Sequence, residues 1–369
     1  MMKKVACLVG LFCVLASAPA YAVDVEEVTA PKSGVTAWLV EDHKLPVLSM
    51  RFAWRGGSEQ DPVAKQGLAS LTMDALAEGA GPYDAAQFQH ELANHSISLG
   101  FEAGRDMVDG GLKCLSADKA KAFSLLHLAL TDPHFAKKDI ERLRARQLAG
   151  IRQEIGDPGW QARYALFSEI FADHPYGERH LGSTQTLAAI TLPDIRAFAH
   201  QHLARDNLIV TVAGDITPTA LASALDKVFG GLPGHAQLRP IPDIDVPGGL
   251  PPELVRRAGT QTEFLFAMPG PKRDNPDWYA AEIANYILGG GGFSSRLMHE
   301  VRVERGLTYG IATALAPSDH NGMIVGQAAV DNPKAGAALE TIRATMERFY
   351  DGGATIKEIA AAKDYLTGS

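Results

Sequence analysis

The sequence predicts an α+β fold built from two tandem copies of one unit, each a mostly antiparallel sheet packed by helices. Three observations point there. Strand-like alternation comes in pairs followed by blocks of helical periodicity, rather than alternating with single helices as in a doubly wound sheet. The same order of elements recurs in the second part of the chain. A Pro/Gly-rich stretch without periodicity, Gly230 to Pro252, separates the two copies and reads as a linker centred on 236–252.

In order, the first element is not part of the fold. Lys3 and Lys4 precede an apolar run from Val5 to Ala18, and Ala20-Tyr-Ala22 offers a small-x-small cleavage site. Residues 1–22 therefore read as a signal peptide, and the expected destination is the periplasm or the exterior. Cys7 and Cys13 would leave with it, so Cys114 alone remains and no internal disulfide is expected. Cys114 sits in an alternating run and reads as core.

The first copy (23–235) opens with Leu48 to Trp54, an alternating strand, then a turn through Gly56, Gly57, Asp61 and Pro62. Helical patterns follow at 65–76 and 85–93, paired strands at 97–103 and 107–115, and helices at 117–130 and 137–153. The second copy (253–369) repeats this order. A strand at 263–267 leads to a helix at 278–288, four glycines, and a helix at 296–304. Strands at 307–314 and 322–330 and helices at 333–350 and 355–366 complete it. Residues 360–366 align with 142–148, whereas the first copy runs on through Gly214 and Phe229, so the second copy is expected to be incomplete.

With 46% hydrophobic and 21% charged residues the composition is that of globular protein. The formal net charge of −8 argues against nucleic acid as a partner. No stretch after the leader is long and apolar enough to span a bilayer. The segment 289–309 stands out: Gly289, Gly290, Gly291 and Gly292 break a helix, an amphipathic helix follows, Gly306 ends it, and Tyr309 starts a strand. Arg302 and Tyr309 flank that helix end, a cation and a phenol able to converge on one carbonyl oxygen.

Taken in order, Val47-Leu-Ser-Met-Arg-Phe-Ala-Trp-Arg-Gly-Gly-Ser, Gly67-Leu-Ala-Ser-Leu, His174-Pro-Tyr-Gly, Leu208-Ile-Val-Thr-Val-Ala-Gly-Asp and the glycine-to-Tyr309 segment resemble the pitrilysin/insulinase family of zinc peptidases (inverzincins), in its bacterial two-domain form. The resemblance covers essentially all of the chain after residue 22. It implies that each copy is part of a clamshell, and that the first should carry H-x-x-E-H on a helix, two imidazoles one turn apart for zinc with a glutamate to activate water.

The matching stretch is Ser70-Leu-Thr-Met-Asp74. Ser70 and Asp74 stand where the histidines would be and Met73 where the base would be. Glu154 matches the family's downstream ligand, though by itself it is one carboxylate and reads as a solvated or salt-bridged helix residue. None of the twelve histidines has an i, i+4 partner, and His90/His95, His174/His180 and His200/His202 fall on different faces or flank turns. No metal, and no cofactor of its own, is expected in this chain.

The resemblance implies more for the second copy. Arg302 and Tyr309 match an arginine and a tyrosine that reach across the clamshell to the substrate carbonyl and its oxyanion. Gly289 to Gly292 match the substrate-holding loop in the non-zinc subunit of the mitochondrial processing peptidase; a simple helix break is the alternative. The expectation is a non-zinc subunit of a heterodimeric peptidase, with peptide as substrate and zinc held by an H-x-x-E-H partner. The alternative is a peptide-binding or scaffold protein of the same fold, in which Arg302 and Tyr309 are relics.

Overall fold

The computed structural model describes residues 24–368, so the leader segment 1–22 lies outside the described residues. The chain forms two sheets with helices, an α+β arrangement as expected. In the first sheet, β1 (Glu26–Thr29), β2 (Thr36–Glu41), β3 (Val47–Arg55), β4 (Ser98–Ala103), β5 (Met107–Leu115) and β6 (Leu208–Gly214) run in the order β1-β2-β6-β3-β5-β4. Only β2 with β6 is parallel. The second sheet orders β7 (Gln261–Pro269), β8 (Thr308–Pro317) and β9 (Gly322–Asp331) as β7-β9-β8. First strand, third strand, second strand is also the order of β3-β5-β4, so the repeat seen in the sequence is a repeat of topology.

Alternation explains which face of each strand is covered. Leu48, Met50, Phe52 and Trp54 of β3 are fully buried, with Phe52 and Trp54 edge-to-face at 5.5 Å. Against this face pack α1 (Leu68–Ala75), α2 (Ala85–Asn94), α3 (Lys119–Thr131), the start of α4 (Lys137–Gly156) and, after the short α6 (Thr184–Ala189), α7 (Leu192–His202) and α8 (Pro218–Phe229). Asp84, Ser183, Thr191 and Thr217 cap α2, α6, α7 and α8 with side-chain oxygens. Cys114 is buried in β5, and burial pushes its thiol up to about 11, the chemistry of a core residue.

The second sheet is covered on both faces. Phe264, Phe266 and Met268 of β7 join a core with Ile311, Ala328 and Val330 and with Ala338 and Ile342 of α10 (Ala335–Gly352). The alternate residue Ala267, with Met323 and Val325 of β9, meets Leu166, Phe167 and Ile170 of α5 (Pro158–Ile170), a helix of the first half. The remaining helices are α9 (Trp278–Asn285) and α11 (Ile356–Leu366).

The segment read as a linker has no helix or strand but is held firmly. Ile244 and Val246 belong to the α5–β9 cluster, Ile244 N–H donates to His320 O at 2.9 Å, and Asn321 Nδ2 donates to Ile244 O at 2.6 Å. The turn between β8 and β9 also plugs into the first half. Asp319 N–H donates to Asp106 Oδ2 at 3.1 Å, His320 N–H donates to the Tyr176 hydroxyl at 3.1 Å, and that hydroxyl donates to Asp106 Oδ1. Tyr176 is buried, Asp106 and His320 are half-buried and Asp319 is exposed, so this junction is a polar clasp between the halves that is sheltered at its tyrosine end.

Candidate functional site

The helix that should carry the zinc motif is built for packing: six of its eight residues are buried. Gly67, at φ +90°, makes the turn into α1, where a Cβ would collide with Leu181 O. The buried Asp61 carboxylate accepts from Gly67 N at 2.8 Å and Ala69 N at 2.9 Å, filling donors left open at the helix start. Burial pushes its carboxyl up to about 7 against the pull of these N–H groups.

From α1, Met73 points into the core at 1% exposure. Ser70 and Asp74 are half-buried one turn apart, and Asp74 Oδ2 is ion-paired with Arg146 Nη2 of α4 at 2.9 Å. Glu154 is half-buried near the end of α4; burial pushes its carboxyl up and the Arg179 charge pulls it back in part. Among the described residues no three His, Cys, Asp or Glu side chains converge as metal ligands. A thioether in the core, a hydroxyl and a carboxylate already neutralised by arginine do not fit a zinc ion. No step of the chemistry is assigned to a metal in this chain.

The second candidate lies at the start of the β8 side of the other half. α9 continues into a π-helical turn over Tyr286–Gly290, which delivers the glycines. Three of them are explained by packing: a Cβ at Gly289 would run into Thr313, at Gly290 into Asn285, and at Gly291 into Tyr286. Gly292, at φ +56°, has open space around it and turns the chain toward Phe293. Gly290 and Gly292 are both exposed, and of the four only Gly292 has open space where a side chain would stand.

Arg302 sits on a second π-helical turn, Met298–Val303, closed by Gly306 at φ +59°. Its guanidinium lies 4.7 Å over the exposed Phe293 ring, so the glycine loop and the arginine are in contact. Tyr309 is the extra residue of a β-bulge: Thr308 pairs with Val330 and Gly310 with Ala329, leaving Tyr309 unpaired and 74% exposed. The Thr308 hydroxyl pins the bulge, donating to Ala329 O at 2.6 Å and accepting from Gly310 N at 3.1 Å. Among the described residues, neither the Arg302 guanidinium nor the Tyr309 hydroxyl makes a side-chain hydrogen bond or ion pair. Both are presented, yet Arg302 leans on Phe293 rather than on Tyr309.

With this geometry in hand, the relatives are informative. A family model described as the peptidase M16 inactive domain matches residues 189–366. The crystal structure of a peptidase M16 inactive domain from Pseudomonas fluorescens superposes with a TM-score of 0.85 at 28% identity, covering 94% of this chain and 84% of that one. The non-peptidase homolog YmxG of Helicobacter pylori is 27% identical over 334 residues, 89% of this chain and 76% of that protein.

The chain belongs to the peptidase M16 family.

Within M16 it is an inactive-type member, a peptidase homologue without the zinc motif. An uncharacterized zinc protease of Mycobacterium leprae is 26% identical over 311 residues, 79% of this chain and 70% of that protein. A protease from H. pylori, at 19% identity, shares the M16 fold with a TM-score of 0.82 over 94% of this chain and 85% of that one. Sequence reasoning missed the residues that occupy the surroundings of the lost motif: Arg146 on Asp74, and Arg179 beside Glu154. Arg146 lies two turns before Glu154 on α4, a spacing that was readable, whereas Arg179 is brought in only by the tertiary fold. Among the described residues no helix is long and apolar enough to cross a membrane.

Proposed function

We propose that this chain is the zinc-free subunit of a heterodimeric M16 peptidase and lends Arg302 and Tyr309 to peptide hydrolysis at a partner's H-x-x-E-H site. The observation that carries the reading is the bulge: a hydroxyl-pinned irregularity in β8 turns a tyrosine out of the sheet, seven residues after an arginine that has no anionic partner among the described residues. An always-charged planar donor and a phenolic O–H suit a substrate carbonyl that becomes an oxyanion, and losing one such donor typically costs about 3 kcal/mol of transition-state stabilisation. Arg302 would swing from Phe293 to the substrate, and Gly292 would let backbone approach it. Zinc would belong to the partner. The free edge of β4 could take an extended peptide by strand addition. The basic start and apolar run read as a leader at 1–22 would direct the assembly to the periplasm.

The test is reconstitution with an H-x-x-E-H homologue. Arg302→Ala or Tyr309→Phe should lower turnover about a hundredfold with assembly intact. Unchanged turnover in both variants would sink the proposal. A second reading, a non-enzymatic scaffold, is favoured by the name of the H. pylori relative, a non-peptidase homolog. It expects no turnover gain in any reconstituted complex.

A further inference from the structure

Helix α5 carries an aromatic stripe on one face, and two arginines from distant segments lie on it. Trp160, Tyr164 and Phe167 follow i, i+4, i+7 spacing. Trp160 and Tyr164 stack with ring centroids 5.3 Å apart and planes within 5°. The Arg179 guanidinium lies 5.0 Å over Trp160 and 4.4 Å over Tyr164. The Arg105 guanidinium lies 5.2 Å over both Phe167 and Tyr176.

Among the described residues, neither guanidinium makes a side-chain hydrogen bond or ion pair. That is unusual in a chain of net charge −8 with acids nearby. Those acids are engaged or weakened. Asp106 is taken by the Tyr176 hydroxyl and the Asp319 N–H, and burial pushes the Glu154 carboxyl beside Arg179 toward its neutral form. Arg179 also lines a polar cavity of about 300 Å³ with His174, His180 and Arg239 and with the carboxylates of Asp61, Asp173 and Glu178, of which Asp61 is taken by the Gly67 and Ala69 N–H groups and Glu178 by the Gln66 amide. The rings hold both guanidinia in place without taking up their N–H groups, and a guanidinium with free N–H groups suits bidentate capture of carboxylate.

We infer that Arg105 and Arg179 form a carboxylate-binding subsite that selects acidic peptides. The spacing adds detail. From the Trp160/Tyr164 pair to Phe167 is five residues of helix, about 7.5 Å. Carboxylates two residues apart on an extended peptide are separated by about 6.6 Å. An acidic-x-acidic segment fits, as does one acidic side chain combined with a terminal carboxylate. The subsite lies in this chain alone and rests on the proposed function only for the idea that the ligand is a peptide.

The experiment uses the lone chain and fluorescein-labelled peptides read by anisotropy. One carries Asp-Ala-Asp, its control Asn-Ala-Asn, each as free acid and as C-terminal amide. The acidic peptide should bind at least tenfold tighter than the neutral amide, and the four-way comparison assigns the gain to side chains or to the terminus. Arg179→Gln should abolish the preference and Arg179→Lys should keep part of it. Arg105→Gln should act likewise, and if that half-buried change prevents folding, Arg179→Gln decides alone. Equal affinity for all four peptides, or a charge preference that survives Arg179→Gln, overturns the inference. Acid-selective binding without turnover in any reconstituted complex would leave this subsite standing and remove the peptidase role instead.

Discussion

Replacing Tyr176 by phenylalanine tests the clasp that holds the two halves together. The ring is buried and would remain, so packing is preserved. What is lost is one hydroxyl, which donates to Asp106 and accepts from the His320 N–H across the junction. A hydrogen bond to a carboxylate contributes about 2 kcal/mol, and an N–H left unpaired in a partly buried site costs about 1–2 kcal/mol more. The sum is about 3–4 kcal/mol, which at about 2 °C per kcal/mol for a chain of this size lowers Tm by roughly 6–8 °C. Differential scanning fluorimetry reads the shift, and limited proteolysis at 236–252 should speed up as the turn leaves its seat. Tyr350→Phe, at an exposed tyrosine, serves as control and should not move Tm. A fall of less than about 2 °C for Tyr176→Phe would refute the clasp.

Other outcomes follow from the same geometry. Burial and the neighbouring Asp106 raise the Glu59 carboxyl, and burial raises Asp61 to about 7. A raised acid is most compatible with the fold while protonated, so stability is fully present in acid and is lost as pH rises from the ordinary carboxylate range through neutrality. Glu59→Gln should flatten part of that slope in Tm measured from pH 5 to 9; an unchanged slope contradicts the assignment. Met73→Ala should cost about 3 kcal/mol by chemical denaturation, because it empties a core position. Asp74→Ala should cost under about 1 kcal/mol, since it breaks only a half-exposed ion pair. Thr308→Val should unpin the bulge and reduce turnover of a reconstituted complex, with Thr308→Ser restoring it; equal rates for both would disconnect the bulge from function.

Much of the fold was legible because periodicity is local. The alternation of 48–54 extends to Val47–Arg55, and the paired strands at 97–103 and 107–115 appear within a residue of their expected bounds. Strands β1 and β2 were not placed, although Ala37 and Leu39 alternate inward; β2 is short and needs β6, far along the chain, as its parallel partner. The helix expected over 278–288 turns π-helical at Tyr286, because the glycines press against Thr313, a contact no local pattern reveals. The linker looked free because its partners, His320 and Asn321, lie in the other half.

At the site, the loss of the zinc ligands was readable residue by residue. That Arg146 neutralises Asp74, that Thr308 pins a bulge at Tyr309, and that arginines stack along α5 all depend on three-dimensional neighbours. The spacing of Arg302 and Tyr309 suggested convergence. The structure adds that Phe293 holds the guanidinium between turns of the helix and the glycine loop.

The account turns on where the hydrolytic metal resides. The most direct measurement is zinc per chain, by elemental analysis of the purified lone protein after equilibration with zinc and dialysis. The expected result is well below one ion per chain, with no peptide turnover. One tightly held ion per chain, lost on Glu154→Gln and accompanied by hydrolysis, would contradict it.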